Sequence, residues 1–297
     1  MRHLPVALFR YPGGKAKYSK WILPNLFRCS GFSLYVEPFV GGGSVALAVA
    51  KQYPSVKLIL NDLDPGIAAF WDLVATAADV ELKALADRIS STHPTVDLFF
   101  EIKNTQPTNR LERAFRSFFL NRTSWGGMGK RPLGGKKQAS KDKIHSRWGA
   151  KNLVCELFGA RKLLYGRTKV YNDDFAKVIP LAQAGSMMFL DPPYYEAGNS
   201  LYKFVWSDAD HVRLRDALAH MNNWVMSYDD HKRIRELYGT LATVMSVKYS
   251  LGSGRKKMNE LLLSTRLEFP TDTNPDVGIG GISDTLRIWV EGYGPED

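Results

Sequence analysis

Between Ser186 and Glu196 the chain reads SMMFLDPPYYE: an apolar run, then a carboxylate, two prolines and two tyrosines. Consecutive prolines remove two backbone donors and fix two φ angles, so Asp191, Pro192, Pro193 and Tyr194 are expected in a stiff turn. A buried strand that ends in an acidic, aromatic turn lies where open α/β sheets bind their ligands. The plainer alternative makes Asp191 a helix cap and Tyr194 core packing. A second constellation sits upstream, in VEPFVGGGSVAL. Gly41, Gly42 and Gly43 let backbone approach a ligand closely, and a helix start just beyond them offers free N–H groups. About 20 residues on, Asp62 ends the next apolar run, where a carboxylate accepts hydrogen bonds from ribose hydroxyls. Asp64 competes for that role, but Asp64 followed by Pro65 has its own explanation as an N-cap and first-turn pair, so Asp62 is preferred. Loop and acid together favour a cofactor containing adenosine. The third glycine of a nicotinamide-binding loop is missing, as is the lysine of a P-loop.

These residues need elements to hold them. The patterns predict strands at Leu34–Glu37, Val56–Leu60, Thr168–Tyr171, Met187–Leu190 and Trp224–Tyr228. Helices are expected from near Ser44, across GIAAFWDLVAT, across RLERAFRSFFLNR and over Asp208–Met221. In the third of these, Leu111, Phe115, Phe118 and Phe119 suit one apolar face. LATVMSVKYS and MNELLLSTRLEF, joined by a basic glycine loop, read as an antiparallel hairpin. Strands alternating with helices imply an α/β fold with a mainly parallel, doubly wound sheet. The tail after Phe269 receives no task.

The 297 residues are 44% hydrophobic and 24% charged, ordinary values for a soluble globular chain. No apolar run approaches the roughly 20 residues needed to span a bilayer, and MRHLPVALFRYPGGK lacks the pattern of a signal peptide. Only Cys29 and Cys155 are present, in no metal-ligand spacing, which fits a reducing cytoplasm and no structural metal. The formal charge is +10, and residues 101–151 hold thirteen Lys or Arg against Glu101, Glu112 and Asp142, the whole of the excess. Such concentration points to a polyanion, most simply nucleic acid. Between residues 121 and 150 periodicity is lost and Trp125 and Trp148 interleave with Gly, Lys and Arg, which predicts loops or an irregular hairpin.

In order, FRYPGGKAK, VEPFVGGGSVAL, LNDLDP, FFLNRTSW, VYNDDF, LDPPYY, WVMSYDD and NELLLS resemble the Dam-type adenine-specific DNA methyltransferases across most of the chain. The resemblance implies a Rossmann-like methyltransferase sheet in a discontinuous catalytic domain, 1–75 with 161–297, interrupted by a mostly helical recognition insertion, 76–160. It implies S-adenosylmethionine as methyl donor and an adenine flipped from double-stranded DNA as acceptor. The Asp191 carboxylate and the Pro192 carbonyl would take both amine hydrogens, aiming the nitrogen lone pair at the methyl, while Tyr194 stacks on the base. Tyr11 and Lys15 would lie beside the cofactor's adenosine and methionine carboxylate. Phe39, Gly41 and Gly43 would line its methionine side, Asp62 its ribose, and Asp174 and Phe175 its adenine, with Asp173 the rival of Asp174. Arg122 and the loop Thr123–Lys137 would meet DNA through Trp125, Lys130, Arg131, Lys136 and Lys137, mostly at phosphates. Trp125 would anchor the hairpin in preference to wedging into the base stack, and Lys256 and Lys257 would add phosphate contacts. WGGMGKRPLGGKK departs from the best-known Dam pattern, so the target need not be GATC. The expected protein is a monomer or weak dimer in a bacterial or phage-infected cell, with room for a restriction endonuclease counterpart. Rivals are an enzyme acting on cytosine's amine or on RNA, and a non-catalytic DNA-binding relative.

Overall fold

The computed structural model describes residues 8–10, 15, 31–196, 205–251, 254–264, 273–274 and 279–280, with 240, 242–251, 254–259 and the last two pairs given by backbone alone. Seven strands, β1 (Leu34–Glu37), β2 (Lys57–Asn61), β3 (Thr168–Tyr171), β4 (Ser186–Leu190), β5 (Trp224–Asp229), β6 (Ala242–Leu251) and β7 (Gly254–Ser264), are ordered β3-β2-β1-β4-β5-β7-β6. The pairs β2–β3, β1–β4 and β4–β5 are parallel; β5–β7 and β6–β7 are antiparallel. A separate ladder joins β8 (Thr273–Asn274) to β9 (Ile279–Gly280). The expected α/β architecture, mainly parallel with a C-terminal hairpin, is the one found. β4 and β5 are buried along their whole length, which is why SMMFL and WVMSYD read as near-continuous apolar runs without alternation.

The helices are α1 (Ser44–Gln52), α2 (Pro65–Thr76), α3 (Asp79–Ser91), α4 (Val96–Asn104), α5 (Arg110–Thr123), α6 (Ala150–Leu164), the single-turn α7 (Phe175–Val178), α8 (Asp208–Leu218) and α9 (Lys232–Tyr238). Contacts divide the chain into two compact units, 1–16 with 37–178, and 17–36 with 179–297. In the first, α5 packs on α2 through Phe118 stacked on Phe70 at 5.0 Å, with Phe9 edge-on to both at 5.6 and 4.8 Å. Each fully buried Phe is worth about 1.5–3 kcal/mol over exposure, so this cluster ties the N-terminal segment to the two helices. Trp148 is core as well: it packs on Phe115, Phe118 and Phe119 and donates its indole N–H to the Thr92 carbonyl.

Helix ends are closed by side chains that the order of residues specifies. Asp64 accepts the Gly66 N–H at 2.8 Å with Pro65 at the first helical position, the expected cap of α2. Thr95 and Asn109 cap α4 and α5 in the same manner. Two arginines serve the opposite ends. Arg161 donates to the carbonyls of Val74 and Ala77 in and just past the last turn of α2, and Arg167 to those of Ala50, in the last turn of α1, and of Tyr53 and Val56 beyond it, a cation where helix carbonyls lack partners. In the second unit, Ser207 and Asp210 form a capping box at the start of α8.

Candidate functional site

The glycine turn and its acid lie in the first unit and are bonded to each other. Asp62 accepts the Gly41 N–H at 2.9 Å through Oδ2 and the Asp64 N–H at 2.9 Å through Oδ1. Asp62 thus fixes the turn with both carboxylate oxygens. Gly43 has φ 68° and is the N-cap of α1. A Cβ there would stand 2.2 Å from Trp71 Cζ2, and Trp71 is itself held by its N–H on the Gly41 carbonyl at 3.0 Å. Glycine is therefore obligatory at Gly43 for space as well as for φ. Asn61, absent from the sequence expectations, is the hub beneath. Its amide donates to the carbonyls of Pro38 and Asp173 and its carbonyl accepts the Asp173 N–H, which brings the FVGGG and NDDF segments together. Phe39 and Phe175 meet at 5.8 Å between ring centres.

Asp174 uses Oδ1 to cap α7 through the Ala176 N–H, while Asp173 pairs with Lys177. Lys15 is only 4% exposed. Tyr11 falls outside the described residues, as do the side chains of Lys256 and Lys257. Gly41, Phe39, Asp62, Asp174 and Phe175 thus share one edge of the first unit, and their chemistry fits an adenosine-bearing cofactor: a half-exposed carboxylate for a ribose, aromatic faces for a ring, and a helix start that no side chain caps.

In the second unit, β4 ends at Leu190 and delivers the turn Asp191–Pro192–Pro193–Tyr194 beside β5. The Ser227 hydroxyl donates to Asp191 Oδ1 at 2.8 Å. Asp191 is half-buried; Tyr194 is buried, its ring stacked 6.0 Å from that of Tyr228. Among the described residues Asp191 caps no helix, and the burial of Tyr194 against Tyr228 agrees with core packing. The following Tyr195 stacks on His231 at 4.4 Å and gives its hydroxyl to Asp208, which Arg233 holds with two bonds. That pair keeps the Asp208 carboxyl below the usual carboxylate range and the Arg233 guanidinium above its own.

The basic segment sorts into two populations. Arg110 bridges Asp72 and Glu81 at 2.6 and 2.7 Å. Arg116 caps the carbonyls of Ile102 and Lys103. Arg122, expected at a phosphate, is instead 9% exposed and points at the carbonyls of Leu8 and Arg147. Burial, helped by the charges of Arg10 and Arg147, brings its guanidinium down to about 10. The physical reason was legible: Arg122 follows Phe115 by seven residues and Phe118 by four, and so continues the apolar face of α5.

Arg113 in α5 and Lys151 in α6 are exposed, as are Lys130, Arg131, Lys136, Lys137 and Lys141, all on the loop after α5. Backbone bonds Trp125 N–H to Arg131 O and Leu133 N–H to Thr123 O, with a bridge from Ser124 to Pro132, close it into the expected irregular hairpin. Gln138 staples its far side to Leu133, Gly135 and Ile144. Trp125 remains 36% exposed under the Arg131 guanidinium, 4.6 Å above its ring. Asn121 secures the near side, trading two hydrogen bonds with the Arg10 backbone and donating to the Gly127 carbonyl. Close packing there excludes any side chain at Gly127, whose Cβ would lie 1.9 Å from the Arg10 carbonyl oxygen.

A family model described as D12 class N6 adenine-specific DNA methyltransferase matches residues 11–251, a span that takes in the glycine turn, the basic loop and the Asp-Pro-Pro-Tyr turn. The chain belongs to this family. It is 26% identical over 228 residues to the Type II methyltransferase M.MjaIII of Methanocaldococcus jannaschii, covering 69% of this chain and 76% of that one. To the DNA N-6-adenine-methyltransferase of Escherichia phage P1 it is 29% identical over 199 residues, 65% of this chain and 24% of the much longer phage protein. The Type II methyltransferase M.CviBI of Paramecium bursaria Chlorella virus NC1A matches at 25% over 239 residues, 76% of this chain and 85% of the relative. Membership makes the protein an adenine-specific DNA methyltransferase. Among the described residues no helix is long and apolar enough to cross a membrane.

Proposed function

We propose that the chain binds S-adenosylmethionine at the glycine edge and methylates the exocyclic amine of an adenine flipped from double-stranded DNA, with Asp191, Pro192 and Tyr194 holding the base. The bound cofactor supplies an electrophilic methyl on a sulfonium. The protein supplies orientation. An adenine amine is a weak nucleophile because its lone pair is delocalised into the ring. Accepting both hydrogens, on the Asp191 carboxylate and the Pro192 carbonyl, favours a pyramidal nitrogen and stabilises the positive charge that develops there. Tyr194 contributes a face for stacking, and the extrahelical base is what lets these groups reach the amine. Around the cofactor, Asp62 receives the ribose, Phe39, Gly41 and Gly43 line the methionine side, Phe175 meets the adenine with Asp174 or Asp173, and Tyr11 and Lys15 lie beside the adenosine and the methionine carboxylate. The insertion 76–160 is the recognition module: Lys130, Arg131, Lys136 and Lys137 meet phosphates, Trp125 braces the hairpin, and Arg122 supports it from within. A monomer or weak dimer working in a bacterial or phage-infected cytoplasm suffices, with or without a restriction endonuclease counterpart.

The observation that carries this proposal is the Asp191 carboxylate, fixed by Ser227 at the carboxyl end of β4. Tritiated methyl transfer from S-adenosylmethionine to defined adenine duplexes tests it. Asp191→Ala should abolish transfer and leave duplex affinity within about twofold; turnover near that of the wild type refutes the assignment.

A further inference from the structure

WVMSYD forms β5 (Trp224–Asp229), the strand beside the Asp-Pro-Pro-Tyr turn. Its alternation places Ser227 and Asp229 on the same side of the strand, and both are buried, at 0 and 6% exposure. The two grip the Asp-Pro-Pro-Tyr turn at its two ends. Ser227 holds the entry, through the hydroxyl bond to Asp191 Oδ1 at 2.8 Å. Asp229 holds the exit: Oδ1 accepts the Tyr195 N–H at 2.9 Å and Oδ2 the Glu196 N–H at 2.7 Å. Between them lie Pro192 and Pro193, which have no N–H to offer, so the turn cannot be stitched to the sheet by an ordinary ladder. A buried carboxylate with a backbone donor on each oxygen is a strong substitute, since bonds to an ionised acceptor are about twice as strong as neutral ones.

We propose that Ser227 and Asp229 are positioning residues for methyl transfer: Ser227 sets the rotamer of the Asp191 carboxylate, and Asp229 sets the height of the turn that carries the Pro192 carbonyl and the Tyr194 ring. They act through Asp191, Pro192 and Tyr194 and touch no reacting atom. This rests on the assignment of Asp191 given above. Asp229 needs both of its oxygens to accept. An asparagine would present an NH₂ to one of the two N–H groups, and so disturb the turn without changing side-chain size.

The test is single-turnover methylation of an adenine duplex at saturating DNA and S-adenosylmethionine, beside calorimetric Kd values for each. Ser227→Ala and Asp229→Asn should each slow the chemical step by roughly tenfold to a hundredfold, what one lost charge-assisted bond is worth, with both Kd values within about twofold. Ser227→Thr, which keeps the hydroxyl, should recover most of the rate. Ser227→Ala removes one oxygen and keeps the result interpretable if Asp229→Asn folds poorly. Unchanged rates in both variants beside an inactive Asp191→Ala overturn the clamp and leave the Asp191 assignment standing; an active Asp191→Ala overturns both. Loss of duplex or cofactor affinity in step with rate also overturns the positioning role, because a merely structural residue behaves that way.

Discussion

Replacing Lys136 and Lys137 together with alanine separates the two populations of cations on the recognition segment. Both lysines are exposed on the stapled loop that also carries Lys130, Arg131 and Lys141. Each phosphate neutralised by a side chain contributes about −0.9 to the slope of log K against log salt. If both lysines meet phosphates, the double variant has a slope flatter by about 1.8, so its affinity deficit shrinks about tenfold between 50 and 200 mM salt. Lys136 also lies 5.3 Å from the Phe100 ring centre, a contact whose loss costs about 0.5–1 kcal/mol of stability and does not enter the slope. Arg110→Gln is the matched control. It removes one formal charge from the same segment, but one already committed to Asp72 and Glu81, so the slope should not move. Fluorescence anisotropy of a labelled duplex at four or five salt concentrations measures all three proteins. An unchanged slope in the lysine pair, or equal flattening in Arg110→Gln, would show that proximity in sequence, and not exposure, governs DNA contact.

Three further outcomes are expected. Gly43→Ala combines a left-handed backbone with a Cβ 2.2 Å from the buried Trp71 ring, and should destabilise the fold by roughly 2–5 kcal/mol; a loss below about 1 kcal/mol in denaturant titration would mean that Trp71 yields. Asn121→Ala deletes three hydrogen bonds to Arg10 and Gly127 and should cost about 2–4 kcal/mol, with hydrogen exchange rising first at Arg10. His211 faces the Tyr228 hydroxyl and the rings of Tyr195 and Trp206; burial lowers its pKa against the opposing charges of Asp229, Asp208 and Asp210. A base whose folded pKa lies below its unfolded value of about 6.5 binds fewer protons when folded. Its contribution is therefore complete above about pH 6.5 and lost as pH falls through the folded pKa. Thermal melts across that interval should show Tm dropping on the acid side, with a shallower drop in His211→Gln.

Local order made most elements legible. β1 and β3 have the bounds that their apolar runs imply, β2 lies one residue further along, and the Asp64–Pro65 pair starts α2. What stayed hidden depends on distant partners. Nothing in LILND shows that Asn61 will bridge Pro38 and Asp173, more than a hundred residues apart, although a polar residue ending a buried strand was a signal of constrained bonding. Likewise Asn121 reads as one half of Asn-Arg in a basic stretch until Arg10 is seen against it. Helices α3, α4 and α6 were not placed individually, because their apolar faces are short and interrupted by charge. Arg122 shows the limit most directly: formal charge is visible in a sequence, but exposure depends on which face of a helix carries the residue.

The aspartates show why motif position and chemical role have to be argued separately. Asp62, Asp64, Asp174 and Asp229 all accept backbone N–H groups, and each thereby fixes a turn. Asp191 is met by a hydroxyl, a partner that orients a carboxylate without determining the path of the main chain. An acid that holds a turn with both oxygens, as Asp62 and Asp229 do, resists replacement by asparagine because one N–H loses its acceptor, whatever reaction the turn serves. An acid that grips a substrate's amine hydrogens resists it because an amide oxygen is the weaker acceptor and carries no charge to stabilise a developing cation. Folding stability separates the two: Asp→Asn at Asp62 or Asp229 should lower it together with activity, while Asp191→Asn should lower activity and leave the melting curve close to that of the parent. Parallel losses at all of these positions would place Asp191 among the scaffold carboxylates and remove the chemistry from β4.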